Sequence, residues 1–455
     1  MSKVKTAFYC QNCGTQHAKW QGQCNSCKKW NTLTEEVIEK GDNKSWKSEN
    51  KSRVVSKPIK VQEIEISSES RIDTHDAELN RVLGGGIIPG ALMLLGGEPG
   101  IGKSTLLLQI AMTIGHKVLY VSGEESQQQI KIRADRMNTS SENCYILSET
   151  KTQHIFSQIE ALEPQLVIID SVQTLHTDYI DSGPGSISQI KECTAEFIRF
   201  AKETHVPVFL VGHITKDGQI AGPKILEHMV DAVLHFEGDK QHQFRILRSK
   251  KNRFGSTNEI GIYQMNEKGL QMVVNPSELF VSKKENSESG STIAVTLDGD
   301  RSIMIEVQAL VSSAVYGTPQ RISNGFNSKR LNMLLAILEK KAGFKIGVKD
   351  VFINITGGIK IEDTAIDLAV VAAILSSNIN IAINSDTCFC AEVDLSGELR
   401  SVSNIDKRIS EAERLGYKKI IISNNSKIGY ITNSIQTFKL KNLSQVVKEI
   451  FKEKD

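Results

Sequence analysis

The chain has 455 residues, of which 40% are hydrophobic and 24% are charged, and its formal net charge is +2. This length exceeds what one hydrophobic core organises and predicts about three domains, while the near-neutral charge excludes a polycation. No apolar run reaches the roughly 18 residues that span a bilayer, and no signal-peptide core follows Met1, so we expect a cytoplasmic protein without a membrane partner.

Two C-x-x-C pairs, separated by ten residues, stand near the N-terminus: Cys10, Cys13, Cys24 and Cys27. Each pair can hold one side of a tetrahedral zinc ion, with sulfur about 2.3 Å from the metal. Residues 1–32 are therefore predicted to form a C4 zinc finger, in which Trp20 and Trp30 cover the metal site. Residues 33–60 are rich in Lys, Ser and Asn, which predicts a flexible linker.

Residues 61–275 alternate short apolar runs with helical segments, a pattern typical of a mostly parallel sheet with helices on both faces. The expected parallel strands are residues 91–95, 118–122, 144–147, 166–170 and 207–212. Later runs are predicted to join the sheet as antiparallel strands, at residues 232–236, 243–248 and 260–265. The whole stretch is predicted to fold as one α/β domain.

A glycine-rich octapeptide follows the first of these strands: Gly97-Glu98-Pro99-Gly100-Ile101-Gly102-Lys103-Ser104. It matches the P-loop pattern G-x-x-x-x-G-K-[ST] at every fixed position, and a helix-like stretch begins at Thr105. Glycines let backbone N–H groups turn toward phosphate oxygens, and the helix N-terminus adds partial positive charge. Lys103 is therefore expected to neutralise the β- and γ-phosphates of ATP, and Ser104 to ligate Mg²⁺.

Side chains at the ends of neighbouring strands are candidates for the remaining chemistry, because strand C-termini line the ligand crevice of α/β sheets. Asp170 ends an apolar strand in the Walker B form and is expected to hold Mg²⁺ through a water, with ordinary strand capping as the alternative. Glu124 is the candidate base that activates water, with Glu125 second, unless the segment is a solvated acidic turn. His213 is a candidate sensor of the γ-phosphate, or simply a packed or surface histidine.

Residues 250–255 place three cations, Lys250, Lys251 and Arg253, before a glycine turn. Such a loop can reach a phosphate on a neighbouring subunit as an arginine finger and stabilise transition-state charge. A solvated basic turn is the alternative, and the pattern alone slightly favours it.

The last part of the chain is predicted to be a separate α/β domain at residues 291–455, joined by a second linker at residues 276–290. Paired strands are expected around Asp298, and an amphipathic helix at residues 327–341.

A basic run lies within this domain, because residues 321–349 contain seven Lys or Arg and one acid. Such a patch suits contacts with DNA phosphates, and Lys329, Arg330 and Lys345 are the candidates. A run of charges is more often a solvated helix face, which is the alternative here.

Several motifs together resemble the RadA (Sms) family of bacterial DNA-repair proteins. They are residues 9–14, 20–24 and 30–32 in the finger, residues 79–86 and 96–105 at the P-loop domain, and the signature Lys-Asn-Arg-Phe-Gly at residues 251–255. The match covers essentially the whole chain. The resemblance implies an α/β protein with a RecA-like P-loop ATPase core, an N-terminal C4 zinc ribbon and a C-terminal Lon-protease-like domain.

The resemblance also implies an activity and partners: a homo-hexameric DNA-dependent ATPase, related to DnaB-type helicases, with ATP, Mg²⁺ and Zn²⁺ bound. It implies binding to single-stranded DNA and branched recombination intermediates, and branch migration together with the RecA recombinase. It supports Glu124 as the catalytic glutamate and His213 as the phosphate-sensing position. It makes Lys251 and Arg253 trans-acting residues that couple ATP to DNA.

In RecA-type rings the loops after the later strands line the channel, and here these are residues 173–186 and 214–224. Lys216 and Lys224 are the candidate phosphate contacts in them. Neither loop interleaves aromatic residues, so a base-stacking platform is not expected there.

The last domain resembles the Lon protease domain, but its catalytic pair is replaced. Ala365 stands where Lon has its serine nucleophile, and Asp406 falls near the position of the catalytic lysine. Alanine has no hydroxyl and aspartate cannot act as a neutral amine base, so the domain is expected to be non-proteolytic. An ATP-driven DNA motor is the main interpretation, and a non-motor ATP switch that loads or regulates recombination partners is the alternative.

Overall fold

The computed structural model describes residues 5–10, 15–38, 60, 71–213, 225–238, 244–281, 288–314, 318–358 and 360–451. The chain divides into two compact units, Met1–Val273 and Val274–Asp455. None of the described helices is long and apolar enough to cross a bilayer.

The first unit begins with a three-stranded antiparallel ribbon, in the order β2-β1-β3: β1 (Lys5–Cys10), β2 (Gln16–His17) and β3 (Leu33–Ile38). β3 lies in the segment predicted as a linker, so the ribbon extends six residues beyond the predicted end at residue 32. It forms because Leu33 is buried beside Cys10 and Cys24, while β1 supplies hydrogen-bond partners along the whole strand.

The rest of the first unit is built on a nine-stranded sheet, in the order β12-β11-β10-β9-β4-β8-β7-β5-β6. Its strands are β4 (Leu92–Gly97), β5 (Val118–Ser122), β6 (Cys144–Ser148), β7 (Leu166–Asp170), β8 (Val208–His213), β9 (Ala232–Glu237), β10 (Phe244–Asn252), β11 (Ile260–Asn266) and β12 (Gly269–Met272). Its helices are α1 (Ala77–Leu83), α2 (Lys103–Thr113), α3 (Gln127–Arg136), α4 (Thr152–Leu162), α5 (Ile187–Thr204) and α6 (Ile225–Met229).

Both faces of this sheet are covered, as the alternating pattern predicts. One core contains residues of α1, α2 and α3, and the other contains residues of α4 and α5. Strands β4 to β8 pair in parallel, and β10, β11 and β12 pair antiparallel. The prediction for residues 232–236 was wrong, because β9 runs parallel to β4 and only its other side carries an antiparallel neighbour.

The second unit contains a mixed seven-stranded sheet, in the order β15-β16-β14-β13-β17-β20-β21, and a small two-stranded sheet of β18 and β19. The strands are β13 (Ser291–Asp298), β14 (Arg301–Ser313), β15 (Arg321–Asn324), β16 (Lys349–Ile355), β17 (Thr387–Cys390), β18 (Glu392–Val393), β19 (Leu399–Arg400), β20 (Lys419–Ser423) and β21 (Gln436–Leu440). The helices are α7 (Pro276–Phe280), α8 (Ser328–Ala342), α9 (Asp367–Ile379), α10 (Ile405–Arg414) and α11 (Leu443–Ile450).

Helix α7 occupies the start of the predicted linker 276–290, so that part of the prediction was wrong. Ser277 donates its hydroxyl to Glu411 Oε1 at 2.7 Å and accepts from the N–H of Met304 at 3.0 Å. These bonds join α7 to α10 and β14, which makes it part of the second unit.

Candidate nucleotide site, zinc ribbon and basic surfaces

Four parallel strand ends meet at one edge of the nine-stranded sheet, because β4, β8, β7 and β5 are successive neighbours. Gly97 at the end of β4 pairs with His213 at the end of β8, and Ser122 at the end of β5 pairs with Asp170 at the end of β7. Open α/β sheets bind ligands outside the carboxyl ends of their strands. The topology therefore brings the P-loop, Asp170 and the segment holding Glu124 to one crevice.

The P-loop backbone adopts conformations that glycine accepts most easily. Gly100 and Gly102 have φ angles of 77° and 116°, in the left-handed region. A β-carbon at Gly102 would lie 2.8 Å from Met265 Cε, whereas a β-carbon at Gly100 would meet no atom within 4 Å. Helix α2 begins directly after the loop at Lys103, so its free N–H groups face the same region. The loop therefore has open space beside Gly100 and the N-terminus of α2 next to it, which together suit a bound phosphate.

Lys103 is only 4% exposed, and its ammonium group donates to the carbonyl oxygens of Gly97 and Glu98 at 2.8 and 2.9 Å. Burial lowers the pKa of Lys103 to about 8, and the negative charges of Asp170 and Glu124 oppose that shift. Both carboxylates therefore lie near enough to act electrostatically on Lys103. A buried cation beside two acids suits a polyanionic ligand that arrives with a divalent metal ion.

Two hydroxyl groups that the sequence analysis missed hold these acids. The Tyr120 hydroxyl donates to Asp170 Oδ2 at 2.6 Å, and the Ser171 hydroxyl donates to Glu124 Oε1 at 2.6 Å. Both donors are buried, so each fixes the orientation of a carboxylate at the crevice. The position of Ser171 directly after the Walker B aspartate was an available signal for the second of these bonds.

Glu124 and Glu125 are adjacent in sequence but differ in their contacts. The Glu125 carboxylate pairs with Arg133 of α3, and the Glu125 N–H donates to Ser122 Oγ at 3.0 Å. Glu124 instead contacts Ser171, next to Asp170. Glu125 thus ties α3 to the end of β5, while Glu124 lies with the residues of the crevice.

The basic turn at residues 251–255 is attached to its own chain. Lys251 Nζ donates to three backbone carbonyl oxygens at the C-terminal end of α6, at 2.8 to 3.1 Å: those of Glu227, His228 and Val230. Burial lowers the pKa of Lys251, and the charge of Arg253 adds to the shift. Arg253 pairs with the buried Asp231 at 3.3 Å, yet its side chain is 56% exposed. Lys251 therefore stabilises α6, and Arg253 keeps access to solvent.

Three of the four predicted zinc ligands converge in the described part of the ribbon. The sulfur atoms of Cys10, Cys24 and Cys27 all lie within 4.8 Å of one another, and the Cys10 and Cys27 sulfurs are 3.6 Å apart. Sulfurs arranged tetrahedrally at about 2.3 Å from zinc are separated by about 3.8 Å, so this donor set fits the metal. Cys13, the fourth predicted ligand, lies outside the described residues.

Trp20 and Trp30 do not cover this site, so that prediction was wrong. Their side chains are 59% and 69% exposed. The sulfurs of Cys10 and Cys24 are instead contacted by smaller or nearer side chains: Thr32, His17 and Leu33. A ribbon of this size buries its cysteines with its own backbone and these neighbours, which leaves both indoles in solvent.

The position of the Lon nucleophile lies beside a structural ion pair. Ala365 is fully buried, and its N–H donates to Asp363 Oδ1 at 3.0 Å. Asp363 pairs with Arg408, which is 1% exposed, at 2.6 Å. Burial alone would raise the pKa of Asp363, but the hydrogen bond and charge of Arg408 outweigh it and lower the pKa. Asp406 accepts from the backbone N–H groups of residues 429 and 430 at 3.0 and 3.1 Å, so it stabilises a loop.

The candidate DNA contacts of the second unit have different surroundings. Lys329 and Lys345 are exposed. The Arg330 guanidinium pairs with the fully buried Asp367 and lies 3.3 Å from Glu392 Oε1. Because the Arg330 side chain is only 21% exposed and is paired with two carboxylates, a structural role fits it better than a phosphate contact. Elsewhere, the predicted contacts Lys216 and Lys224 and the side chain of His213 lie outside the described residues.

Family models match three separate parts of the chain. An AAA domain model matches residues 57–219, and a rubredoxin metal binding domain model matches residues 8–35. A model of subunit ChlI of Mg-chelatase matches residues 313–426. The chain therefore combines an AAA-type P-loop core, a metal-binding ribbon and a ChlI-like domain.

Curated relatives match over nearly the full length. The DNA repair protein RadA of Halalkalibacterium halodurans is 47% identical over 94% of this chain and 95% of its own. The protein of the same name from Bacillus subtilis is 47% identical over 93% of each chain, and that from Listeria monocytogenes is 42% identical over 99% of each.

Two solved structures are similar over less than half of the chain. The RadB recombinase is 20% identical and covers 44% of this chain and 99% of its own, with a TM-score of 0.36. A KaiC-like protein from Pyrococcus horikoshii is 17% identical and covers 45% of this chain and 98% of its own, with a TM-score of 0.37. TM-scores this low carry no argument about the present chain.

Proposed function

The chain belongs to the RadA family of DNA repair proteins, and we propose that it is a DNA-dependent ATPase that acts in homologous recombination. It binds single-stranded DNA and branched recombination intermediates and promotes branch migration together with the RecA recombinase. The observation that carries the ATPase proposal is the buried Lys103, which lies beside Asp170 and Glu124 at a P-loop. The names of the full-length relatives support the role in DNA repair.

The roles of the site residues follow from their positions. The backbone of residues 97–105 and the charge of Lys103 hold the phosphates of ATP. Ser104, and Asp170 through a water, would hold Mg²⁺, which would supply positive charge against the charge that develops on the phosphate oxygens. Glu124 accepts a proton from the attacking water, and Ser171 fixes the carboxylate for this task.

Assembly into a homo-hexamer would place the basic turn of one subunit against the ATP of its neighbour. Arg253 is the stronger candidate for this contact, because its side chain is more than half exposed while its guanidinium is positioned by Asp231. Lys251 connects the same turn to α6 through its hydrogen bonds to the carbonyls at the end of that helix. We propose that it thereby also transmits movement of α6 to Arg253. Positive charge supplied by a neighbour stabilises phosphoryl transfer.

Zn²⁺ would be held by Cys10, Cys24 and Cys27 together with Cys13. The ion would tie the end of β1 to the loop before β3 and so stabilise a ribbon that buries few apolar residues. The donor distances described above support this role.

The test is branch migration on a three-stranded DNA substrate, measured with and without ATP and with and without RecA. The proposal predicts ATP-dependent strand extension that RecA enhances, and its loss in the Lys103→Ala variant. If ATP is hydrolysed and DNA is bound but no strand moves, the chain is instead a non-motor ATP switch that loads or regulates recombination partners. If wild-type protein neither hydrolyses ATP nor binds DNA, the proposal fails entirely.

A further inference from the structure

The two exposed tryptophans of the zinc ribbon are not explained by the fold or by the ATPase site. Trp20 and Trp30 are 59% and 69% exposed on a segment whose buried residues are few. Large indoles normally lose most of their contact with water on folding, so two that remain exposed on one small ribbon indicate an interaction surface.

Both indoles lie at the same end of the ribbon. The Trp30 ring rests against Gly22, because a β-carbon built there would lie 3.4 Å from Trp30 Cζ3. The Asn31 N–H donates to the Gly22 carbonyl at 2.7 Å, and Gln23 forms a β-bridge with Trp30. Trp20 is two residues before Gly22, so the α-carbons of Trp20 and Gly22 are at most about 7 Å apart. One face of Trp30 is thus supported by the ribbon, and the rest is open to a ligand.

Cations accompany each indole. Lys19 precedes Trp20, and Lys28 and Lys29 precede Trp30, and all three lysines are exposed. Residues 1–34 contain no Asp or Glu. The ribbon's carboxylates, Glu35 and Glu36, lie in β3 and not in the loop that carries the indoles. An aromatic pair flanked by lysines is complementary to a polymer that carries flat rings and regular negative charges.

We propose that Trp20 and Trp30 form a base-stacking site for single-stranded nucleic acid, with Lys19, Lys28 and Lys29 contacting its phosphates. This inference rests on the proposed DNA-dependent function but places a binding site outside the ATPase core. The site supplies two stacking aromatics, whereas the predicted channel loop at residues 173–186 has Tyr179 alone and the one at residues 214–224 has none. Because stacking uses the face that every base has, the site does not select a sequence.

The experiment measures binding of fluorescein-labelled oligo(dT), and of an abasic oligonucleotide of the same length, to the zinc-loaded full-length protein. The two probes carry the same charge, so the ratio of their affinities isolates stacking from phosphate contacts. The double variant Trp20→Ala/Trp30→Ala is expected to lose at least about tenfold in affinity for oligo(dT) and to bind both probes alike. The matched variant Trp20→Phe/Trp30→Phe is expected to keep most of the preference for oligo(dT), because phenylalanine also stacks.

The triple variant Lys19→Gln/Lys28→Gln/Lys29→Gln provides the complementary control. It is expected to weaken binding of both probes equally and to reduce the salt dependence of binding, because it removes phosphate contacts and leaves the indoles in place. Zinc content and far-UV circular dichroism of every variant establish that the ribbon is still folded.

The outcomes separate this inference from the proposed function. If wild-type protein binds no single-stranded DNA, the proposed function fails and this site fails with it. If wild-type protein binds oligo(dT) and the alanine variant binds it equally well, only the stacking site is overturned. If the alanine variant keeps its DNA affinity but loses enhancement by RecA, the surface is a protein-docking site and the inference is also overturned.

Discussion

Lys103 in the first unit and Arg408 in the second are both almost completely buried cations, but their partners differ. Both donate to two neutral backbone carbonyls, but Arg408 is in addition paired with the Asp363 carboxylate at 2.6 Å. Arg408 is itself 1% exposed, so a ligand does not reach its charge, and breaking the pair leaves an uncompensated carboxylate. A cation bonded to carbonyls can exchange them for phosphate oxygens.

The acids next to these cations show the same contrast. Asp170 and Glu124 accept hydrogen bonds from the neutral hydroxyls of Tyr120 and Ser171, and their charges act on Lys103. Asp363 accepts from the N–H groups of Leu297 and Ala365 in addition to Arg408. The first unit therefore places its acids at the nucleotide crevice, and the second unit uses the Arg408–Asp363 pair to hold its fold.

The largest expected effect separates two adjacent acids of the first unit. Glu124→Gln should lower ATP turnover by about 100-fold or more, because general-base catalysis contributes at least that much. The matched variant Glu125→Gln should change turnover only slightly, since its partner is Arg133 and not a residue of the crevice. The measurement is steady-state phosphate release at saturating ATP. Equal losses in the two variants would remove the distinction between the acids.

Removing the buried charge of Arg408 from the second unit should lower the stability of that unit and leave ATP turnover unchanged. Arg408→Met is expected to lower the free energy of unfolding of this unit by up to about 3 kcal/mol, because Asp363, whose side chain is 17% exposed, would lose its cation in a largely buried position. Urea unfolding followed by circular dichroism and by ATP binding distinguishes the two units, whose transitions need not coincide.

The control for that prediction removes both charges. Asp363→Leu/Arg408→Met should recover a large part of the lost stability, because no unpaired charge is left. An Arg408→Met variant that is as stable as wild type, or that loses ATP binding without loss of folding, would contradict the structural role of the pair.

A smaller effect concerns pH. The pKa of Lys103 is lowered to about 8, so the free protein loses this charge as the pH rises through 8. Binding of ATP favours the protonated amine, and above pH 8 a proton must be taken up at a cost of about 1.4 kcal/mol, or tenfold in affinity, per pH unit. Titration with a fluorescent ATP analogue between pH 7 and 10 measures this. Lys103→Arg, whose charge persists, should show a flat profile, and a flat profile in wild type would contradict the lowered pKa.

The features that the sequence predicted well are encoded locally. The P-loop follows from glycine spacing within eight residues, and the parallel strands follow from apolar runs that end in Asp170 or Ser122. The cysteine spacing likewise predicted that the sulfur atoms of Cys10 and Cys27 lie close together.

The features that were missed depend on distant partners. A run of charged residues has the same sequence pattern whether its side chains are solvated or form ion pairs. Arg330, for example, is paired with Asp367, which is 37 residues away in the sequence. The direction of β9 was missed because its parallel partner β4 is remote in sequence. The exposure of Trp20 and Trp30 depends on which side chains pack against the cysteines in the folded ribbon, and the spacing of the cysteines in the sequence does not specify this.

The central claim is that the crevice at the P-loop of the first unit hydrolyses ATP. The most direct measurement is ATP turnover by zinc-loaded wild type and by Lys103→Ala, each with and without single-stranded DNA, on protein shown to be folded. The account predicts turnover that DNA stimulates in wild type and none above background in the variant. Turnover in Lys103→Ala equal to that of wild type would contradict it.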